Sequence, residues 1–381
     1  MGNIVIFGAG TVGKEALIYY GKRVAFFADN NPNLWETNIQ GILVKKIDDI
    51  AWDAEQYCFV IANADVHQQK DMKIQLERLG IKKIVCFQDD WKGYFVSTEL
   101  VVNPYEEKIT AENKKGKITD RIQIINQKVD KIVNQNLLFD HVEIETVNRC
   151  NGVCAFCPVN KNADSREYIE MSQDLFESII QQLADIDYSG KLALFSNNEP
   201  FLDKDILAKH KHARDKLPNA RMHLFTNGTL LNIDLFIELM RYLDELIIDN
   251  YQQDLKLIKP CREIKAYCEE HPELKNRVTI VLRKPNEVLT TRGGEAPNKK
   301  DMISYPDAKC LNPFKQLIIR PDGKVSLCCN DPLGKNTLGD LMQSTILEVW
   351  HGDAFKKVRQ CLGKGRANWK QCIYCDVFNL V

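Results

Sequence analysis

The sequence predicts an α/β protein, built from a small parallel sheet, a larger partial α/β barrel and a short extension. Short apolar runs alternate with amphipathic segments over residues 1–95 and again from residue 141. Such alternation is typical of parallel strands joined by helical crossovers. A glycine-rich turn follows the first run of the first stretch, and cysteines follow the first run of the second. We expect ligands at the carboxyl ends of both sheets.

Length and composition indicate a globular protein of about two or three domains. The chain has 381 residues, 44% of them hydrophobic, and a formal net charge of −1. This balance of charge gives no electrostatic steering toward nucleic acid or anionic lipid. No apolar run approaches a membrane span, and the opening M-G-N-I-V-I lacks the Ser or Thr of a myristoylation motif. We expect neither nucleic acid nor membrane as a partner.

The cysteine content points to metal binding. The chain has 13 cysteines, an odd count, and several have the close spacing of metal ligands rather than of a disulfide framework. No secretory signal precedes them, so a reducing compartment is expected. We therefore predict a cytoplasmic protein.

The first domain, predicted over residues 1–95, begins as a dinucleotide fold does. A strand at Asn3–Phe7 leads into Gly8-Ala9-Gly10-Thr11-Val12-Gly13 and a helix at Lys14–Tyr20. A second strand at Val24–Phe27 is followed by an acid, Asp29. In such folds the glycines let the backbone approach a pyrophosphate, and the acid holds a ribose. The candidate nucleotide-binding residues are Gly8, Gly10, Gly13 and Asp29. Further strands are predicted at 40–44, 58–62 and 83–87, with a helix at 66–79.

This stretch resembles the small Rossmann-like domains that precede catalytic modules in sugar acetyltransferases and polysaccharide-biosynthesis proteins. The resemblance implies a nucleotide or nucleotide-sugar site, or a scaffold whose pocket has degenerated, and dimerisation is a further role. A redox NAD site is less favoured, because a full dinucleotide site needs two βαβαβ halves and about one is present.

Residues 96–140 are predicted to connect this domain to the next. Ala111–Lys117 has the composition of an exposed linker. After it, apolar residues recur at helical spacing from Ile118 to Leu137, with Thr119 or Asp120 as the N-cap. We expect one amphipathic helix that packs on the catalytic domain, because its stripe is too short for a coiled coil.

The most informative motif is Val147–Val159, V-N-R-C-N-G-V-C-A-F-C-P-V. It places Cys150, Cys154 and Cys157 on one loop, directly after a strand-like run. Three thiolates are one short of the four that close a zinc or ordinary iron–sulfur site, so one metal position is left open. A structural zinc knuckle or a group of buried free thiols is the alternative.

This array, with Phe156 before its third cysteine, resembles the signature of the radical S-adenosylmethionine (SAM) enzymes. The resemblance implies that the three cysteines hold a 4Fe-4S cluster and that SAM chelates the fourth iron. It also implies reductive cleavage of SAM to a 5'-deoxyadenosyl radical, which abstracts hydrogen from a substrate. The implied fold for residues 141–300 is a partial (β/α)6 barrel.

Within this barrel, strands are predicted at 142–146, 191–196, 221–226, 245–249 and 278–283. Ser196-Asn197-Asn198-Glu199-Pro200 stands where this family carries Gly-Gly-Glu-Pro, which implies SAM contacts from Asn198, Glu199 and Pro200, although asparagines replace both glycines. Thr226-Asn227-Gly228-Thr229-Leu230-Leu231 is similar to another family segment near SAM, so Thr226 and Asn227 are candidate contacts. Capping and an Asn-Gly turn are the structural alternatives.

Two arginines are further candidates. Arg283 ends the fifth strand, where a guanidinium could pair with the SAM carboxylate through a bidentate fork. Arg292 lies in a Gly-rich loop and is the leading catalytic candidate, as a substrate contact or as the partner of a departing proton. A solvated loop arginine is the alternative for Arg292. Asp249 and Tyr251 are weaker candidates.

The last segment, predicted over residues 301–381, carries a second set of cysteines. Strand-like runs at 317–320 and 324–327 flank Pro321-Asp322-Gly323, a hairpin signal that would bring Cys310 and Cys328 together. With Cys372 and Cys375, this spacing resembles the auxiliary-cluster extensions called SPASM and twitch. The resemblance implies a second 4Fe-4S cluster bound by Cys310, Cys328, Cys372 and Cys375. Cys329 is an alternative to Cys328, Cys361 is a spare, and a zinc site is the alternative metal.

This four-cysteine layout is similar to that of radical SAM dehydrogenases that oxidise an aminocyclitol alcohol. We therefore predict a radical SAM oxidoreductase or epimerase that abstracts hydrogen from a sugar, nucleotide sugar or cyclitol, with a reductant such as flavodoxin or ferredoxin as partner. An epimerase would need a hydrogen-atom donor such as a thiol. Cys261 and Cys268 are candidates for this donor, and the alternative is that they are core residues. A peptide-modifying maturase and a non-catalytic metal-binding scaffold are the alternative functions.

Overall fold

The computed structural model describes residues 4–50, 56–63, 66–87, 100–106, 111–274, 277–299 and 301–378. The chain divides into two compact units, Met1–Thr98 and Glu99–Val381. Each unit contains a largely parallel sheet with helices in its connections, so the predicted α/β class is confirmed. No helix among the described residues combines the length and apolar character that a membrane span requires.

The first unit is a six-stranded sheet with the order β3-β4-β2-β1-β5-β6. All neighbours are parallel except β3 and β4. The central strand β1 is buried along its whole length, as expected where apolar clusters cover both faces of a parallel sheet. The elements are β1 (Ile4–Phe7), α1 (Thr11–Tyr20), β2 (Val24–Asp29), β3 (Asn38–Ile39), β4 (Ile42–Lys46), α2 (Ile47–Ile50), β5 (Cys58–Ile61), α3 (Val66–Arg78) and β6 (Ile84–Cys86).

Two glycines of the first turn are required by packing. Gly8 has a φ of +109°, and a Cβ there would lie 2.4 Å from the Ala62 carbonyl oxygen. A Cβ on Gly13 would lie 1.9 Å from the Gly8 carbonyl oxygen. By contrast, a Cβ on Gly10 would meet nothing within 4 Å. The close approach of α1 to β1 therefore explains Gly8 and Gly13 without any ligand.

We expect Gly13→Ala to destabilise the first unit by about 2–3 kcal/mol, because the new methyl group overlaps a backbone oxygen. Gly10→Ala is the matched control and should cost less than about 1 kcal/mol, because Gly10 is the N-cap and the new methyl group meets nothing. Hydrogen exchange followed by mass spectrometry should show faster exchange in β1 and β5 peptides of the Gly13 variant alone. Equal exchange in the two variants would contradict this packing role.

The second unit is organised around a nine-stranded sheet with the order β15-β14-β13-β8-β9-β10-β11-β12-β7. Reading along this order, the strands from β13 through β8 to β7 pair in parallel. Strand β14 pairs antiparallel with both β13 and β15. The strands are β7 (Val101–Val102), β8 (His141–Ile144), β9 (Lys191–Ala193), β10 (Arg221–Thr226), β11 (Glu245–Tyr251), β12 (Val278–Arg283), β13 (Gln316–Ile319), β14 (Lys324–Ser326) and β15 (Thr337–Asp340).

Helices follow most of these strands and cover one face of the sheet. Several have the expected N-caps, including Ser172 and Asn232. Thr345 and Glu348 form a capping box. The helices are α4 (Ala111–Ile132), α5 (Gln173–Asp185), α6 (Ile206–Lys216), α7 (Ile233–Leu239), α8 (Lys259–Glu270), α9 (Asn312–Lys315), α10 (Ile346–Trp350) and α11 (Asp353–Leu362).

The predicted hairpin is present, and it has a second role. Its strands β13 and β14 pair antiparallel, through Ile318 with Ser326. Strand β13 also pairs in parallel with β8, through Gln316 with His141 and Ile318 with Glu143. The hairpin therefore extends the barrel sheet as well as carrying the second cysteine set.

The prediction of a linker at Ala111–Lys117 was wrong. Helix α4 begins at Ala111, so Thr119 and Asp120 lie inside the helix rather than at its N-cap. Alanine, glutamate and lysine are all good helix formers, and one glycine in this stretch costs only about 1 kcal/mol. The amphipathic part of the helix packs through Ile125 and Val129 against residues 308–314 and Phe378.

The two faces of the barrel sheet differ in polarity. Val142 and Ile144 of β8 join the main apolar core with helix residues such as Phe176 and Ile179. The alternate residues His141 and Glu143 are buried and polar. Neighbouring strands repeat this pattern and add five buried polar residues, Lys191, Arg221, His223, Glu245 and Gln316. Because side chains alternate along a strand, a polar interior lies on the side away from the helices.

Candidate functional site

The first three cysteines lie on the loop after β8. The backbone N–H of Gly152 donates to Cys150 Sγ at 3.3 Å, and a Cβ on Gly152 would lie 3.3 Å from Cys150 Sγ and 3.9 Å from Cys154 Sγ. The Cys157 thiol is near enough to both to affect their titration electrostatically. Burial raises the pKa of Cys150 and of Cys154 to about 12. The three thiols thus share one small space, which fits a metal centre that displaces their protons.

The cysteine loop is held by neighbours that sequence reasoning missed. The buried Asn160 side chain donates to the carbonyl oxygens of Cys154 and Cys157, at 3.1 and 2.7 Å. The Ala155 N–H donates to the carbonyl oxygen of Pro285, just after β12. Phe156, the predicted aromatic residue, packs at 5.9 Å between ring centroids from Tyr251 at the end of β11.

Arg166 was also missed, because nothing in the local sequence distinguishes it from a surface arginine. Its guanidinium contacts the buried carboxylates of Asp164 and Glu145 at 2.9 and 3.2 Å. It also donates to the carbonyl oxygens of Asn148 and Asn197. Arg166 therefore joins the cysteine loop to the loop after β9, where the predicted SAM residues begin.

Glu199 links the ends of β9 and β10. Its carboxylate accepts from Thr226 Oγ1 at 2.7 Å and from the Asn227 N–H at 2.8 Å. Its own N–H donates to the Arg149 carbonyl oxygen in the cysteine loop. Burial raises the pKa of Glu199 to about 7, against the lowering effect of these hydrogen bonds. The three residues predicted from separate motifs are thus brought together.

The other residues of this motif have distinct surroundings. Asn198 Oδ1 accepts from the Ser196 N–H, whereas its buried Nδ2 has no hydrogen-bond partner among the described atoms. Pro200 begins a one-turn 3-10 helix that Glu199 caps. Asn227 Nδ2 donates to Asn151 Oδ1 in the cysteine loop. An orphaned amide donor beside the cysteine loop fits a polar ligand such as SAM.

Arg283 lies among carboxylates on the same edge of the sheet. Its Nε is 3.6 Å from Asp249 Oδ1, and its Nη1 is 3.7 Å from Glu287 Oε1. Burial raises the pKa of Asp249 to about 6, although Arg283 acts in the opposite direction. The predicted contact between Arg283 and the SAM carboxylate stays a prediction, because the guanidinium is already paired within the protein.

The second cysteine set surrounds one cavity. Cys310, Cys328, Cys372 and Cys375 all line it, together with Arg366. Cys329 is not among its lining residues. The four thiols thus border one shared space. That arrangement fits a cluster with one iron per thiolate.

Arg292 lies near the barrel mouth rather than in solvent. It begins a one-turn 3-10 helix, and its Nη2 donates to Asn197 Oδ1. The preceding Thr291 is tied to Asp376 by its N–H and its hydroxyl, just beyond the last cysteine. A Cβ on Gly293 would lie 2.4 Å from the Asn330 carbonyl oxygen, so only glycine permits this approach to the second cysteine segment.

Beside Arg292 is a buried polar cluster, which we call the mouth cluster: Glu143, Ser196, Asn197, Arg292, Gln316 and Cys329. The Glu143 carboxylate accepts from Ser196 Oγ at 2.6 Å and from Gln316 Nε2 at 2.9 Å. Burial raises the pKa of Glu143 to about 7, while Ser196 and the charge of Arg292 lower it. Sequence reasoning missed Glu143, although a charged residue within a short apolar strand was a signal that could have identified it.

The glycine-rich turn of the first unit borders a separate cavity of about 280 Å³. Gly8 and Asp29 line it, with Asn30, Asn63, Gln68, Asp71 and Gln75 among the other residues. However, Asp29 already accepts from the Ala9 N–H at 2.7 Å and from the Asn31 N–H at 2.8 Å. Gly10 and Gly13 do not line the cavity. A nucleotide at Gly8, Gly10, Gly13 and Asp29 stays a prediction.

Comparison with protein families decides the assignment. Residues 144–265 match the model described as the radical SAM superfamily. The chain contains a radical SAM domain. Residues 310–376 match the model of SPASM, an iron–sulfur cluster-binding domain. The first match begins just before Cys150, and the second spans Cys310 to Cys375. This enzyme's cofactors are SAM and two 4Fe-4S clusters.

Two known proteins are similar to this radical SAM enzyme. The S-adenosyl-L-methionine-dependent 2-deoxy-scyllo-inosamine dehydrogenase of Niallia circulans is 26% identical over 240 residues, which cover 63% of this chain and 93% of that protein. The crystal structure of BtrN in complex with AdoMet and 2-DOIA has a TM-score of 0.56 and 24% identity, over 64% of this chain and 95% of BtrN. The structural likeness confirms the barrel fold. The prediction of a radical SAM oxidoreductase, rather than a non-catalytic scaffold, is also confirmed.

Because Cys328 lines the cavity and Cys329 does not, we expect Cys328 to be the ligand of the auxiliary cluster. Cys328→Ser should lose about half of the bound iron after anaerobic reconstitution, because one of two clusters loses a thiolate. Cys329→Ser, one residue away, should keep the wild-type iron content and the spectra of both clusters. Iron analysis and electron paramagnetic resonance measure both outcomes. Loss of iron in Cys329→Ser with retention in Cys328→Ser would reverse the assignment.

Proposed function

We propose that this enzyme oxidises a carbinol carbon of a polyhydroxylated small molecule, a sugar, nucleotide sugar or cyclitol, to a carbonyl. The observation that carries the proposal is the mouth cluster, in which a buried carboxylate and a guanidinium share one end of the barrel. The similarity to a dehydrogenase that acts on 2-deoxy-scyllo-inosamine supports the same substrate class.

The substrate class follows from the chemistry of the cluster. Arg292 and Asn197 supply hydrogen-bond donors, and Glu143 and Gln316 supply acceptors. Arg292 Nε has no hydrogen-bond partner among the described atoms. Hydroxyl groups both donate and accept, so adjacent hydroxyls can pair with this mixture, whereas an apolar substrate would leave the groups unpaired. A cationic amino group would also be favoured beside Glu143.

SAM with its cluster supplies the hydrogen-abstracting radical when bound, and the auxiliary cluster supplies an electron acceptor. The chain orients these groups. Cys150, Cys154 and Cys157 would hold the first cluster, and Asn198, Glu199, Thr226 and Asn227 lie beside it as SAM contacts. Cys310, Cys328, Cys372 and Cys375 would hold the second.

The proton of the carbinol hydroxyl must also leave, and the mouth cluster identifies its acceptor. Arg292 cannot take it, because a guanidinium stays protonated in proteins. Glu143 can, since its pKa of about 7 keeps a substantial fraction ionised near neutrality and makes proton transfer reversible. Ser196 and Gln316 hold the carboxylate in one orientation. Arg292 then acts as the group that binds the hydroxyl and stabilises charge on its oxygen.

The proposal is tested by anaerobic turnover with SAM and dithionite. The probes are 2-deoxy-scyllo-inosamine, myo-inositol and UDP-glucose, each deuterated in turn at single carbinol carbons. We expect one probe to give 5'-deoxyadenosine and a ketone in equal amounts, with deuterium from one position in the 5'-deoxyadenosine. Failure of all three probes to raise 5'-deoxyadenosine formation above the substrate-free rate would overturn the proposal for this class.

Glu143→Gln should lower the rate of ketone formation by about 100-fold or more, because it removes the proton acceptor but keeps the shape and hydrogen bonds. In wild type the rate should rise with pH through about 7, since only the carboxylate accepts a proton. The variant should lose this pH dependence. Pre-steady-state ketone formation between pH 5.5 and 8.5 measures both effects.

Glu145→Gln is the matched control, because Glu145 is a second buried glutamate on the same strand end, with Arg166 as its partner. Burial also raises the pKa of Glu145 to about 7. Its substitution should leave the pH dependence of ketone formation in place. An unchanged pH profile in Glu143→Gln would remove Glu143 from the proton path.

A further inference from the structure

Cys329 follows Cys328 directly but does not line the auxiliary cavity. Its thiol accepts from Asn330 Nδ2 at 3.5 Å and interacts with the Gln316 side chain, whose Nε2 donates to Glu143. The Cys329 N–H donates to Gln316 Oε1 at 3.3 Å, and its carbonyl oxygen accepts from Asn197 Nδ2 at 3.2 Å. Both hydrogen bonds fix the residue in the mouth cluster.

The other cysteines not assigned to clusters have different surroundings. Cys261 and Cys268 of α8 are fully buried in the main apolar core, so neither reaches the mouth cluster. The half-buried Cys361 lies on α11. Among the described residues of the second unit, Cys329 is therefore the unassigned cysteine that is hydrogen-bonded to members of the mouth cluster, Gln316 and Asn197.

We propose that Cys329 donates a hydrogen atom to the substrate radical, so that the same site can invert a carbinol centre as well as oxidise it. The proposal rests on the hydrogen-abstraction step of the proposed function. A thiol S–H bond is weaker than a carbinol C–H bond, so transfer of the hydrogen atom from sulfur to carbon is favourable.

Inversion requires that hydrogen return to the substrate carbon from a side other than the one that faces SAM. Cys329 follows β14 and adjoins the auxiliary cavity through Cys328. The predicted SAM residues Glu199 and Thr226 come instead from the ends of β9 and β10. A substrate held between these two groups would lose hydrogen on the SAM side and receive hydrogen on the Cys329 side. The new C–H bond would then have the opposite configuration.

The electrons and atoms balance in this second outcome. The substrate carbon gains the hydrogen atom that the Cys329 S–H bond loses, which leaves the substrate redox-neutral and the sulfur as a thiyl radical. One electron from a low-potential reductant of the ferredoxin or flavodoxin class, with one proton from solvent, restores the thiol. Oxidation instead removes a proton and an electron from the same substrate radical. Cys329 and Glu143 thus give the substrate radical two competing outcomes, hydrogen-atom transfer from the thiol or oxidation with loss of a proton to the carboxylate.

The first test follows deuterium from solvent. In D2O the thiol exchanges to S–D, so wild type acting on the probe that supports 5'-deoxyadenosine formation should give an epimer with deuterium at the carbinol carbon. In Cys329→Ser the ratio of this product to ketone should fall at least tenfold, because a hydroxyl O–H bond is too strong to donate a hydrogen atom. Cys361→Ser is the control and should match wild type.

The second test needs no turnover. In the cluster-loaded enzyme without reductant, iodoacetamide labelling and peptide mass spectrometry would report the accessibility of single cysteines. Saturating probe, at about 10 mM, should slow alkylation of Cys329 at least threefold and leave Cys361 unchanged. Equal labelling of Cys329 with and without the probe would place the thiol outside the substrate site and overturn the proposal.

The outcomes separate this inference from the proposed function. Ketone without deuterated epimer in wild type, or equal deuterium in wild type and Cys329→Ser, overturns the donor role alone. Absence of 5'-deoxyadenosine with every probe overturns both. Loss of iron in Cys329→Ser would show that this thiol belongs to a cluster, which also overturns the donor role.

Discussion

Parallel pairing of β13 with β8 is the constraint on which the geometry of the second unit depends. The register sets Gln316 beside His141 and Ile318 beside Glu143. It therefore fixes the start of the hairpin that carries Cys328 and Cys329 against the strand that leads to Cys150. Two cysteine sets that are more than 150 residues apart in sequence thus follow strands of the same sheet. The pairing also brings Gln316 of β13 to Glu143 of β8, which starts the mouth cluster.

Burial of charged groups is the main energetic feature of this site. Glu143, Glu145, Glu199 and Asp249 are all held away from water, and burial raises the pKa of each to between about 6 and about 7. Glu143 and Glu199 are compensated by hydrogen-bond donors, such as the Thr226 hydroxyl and the Asn227 N–H for Glu199, whereas Glu145 and Asp249 are paired with Arg166 and Arg283. Buried carboxylates of this kind are costly unless they are paired. Their concentration at the carboxyl ends of the strands is typical of a functional site, where titration near neutrality is useful.

Both units contain a largely parallel sheet, but the residues that follow their strands have different surroundings. In the first unit, the glycines and Asp29 satisfy the protein's own backbone: Gly13 permits contact with Gly8, and Asp29 accepts from Ala9. In the second unit, the buried donors Asn198 Nδ2 and Arg292 Nε have no hydrogen-bond partner among the described atoms. Glycines and an acid can thus match a nucleotide-binding pattern because the packing of the domain itself requires them. An unpartnered buried donor, by contrast, is not explained by contacts within the protein.

The sequence by itself determined the α/β class, the two cysteine sets and the Glu199, Thr226 and Asn227 positions, because each depends on local spacing or on which residues end a strand. It could not show that α4 begins at Ala111, since composition alone does not separate a charged helix from a linker. Tertiary structure alone decided that Cys328 lines the cavity while Cys329 does not, because consecutive residues can point to different sides. It also decided the roles of Asn160, Arg166 and Gln316. Their partners lie on other segments of the chain, and pairing between segments depends on packing that no local pattern records.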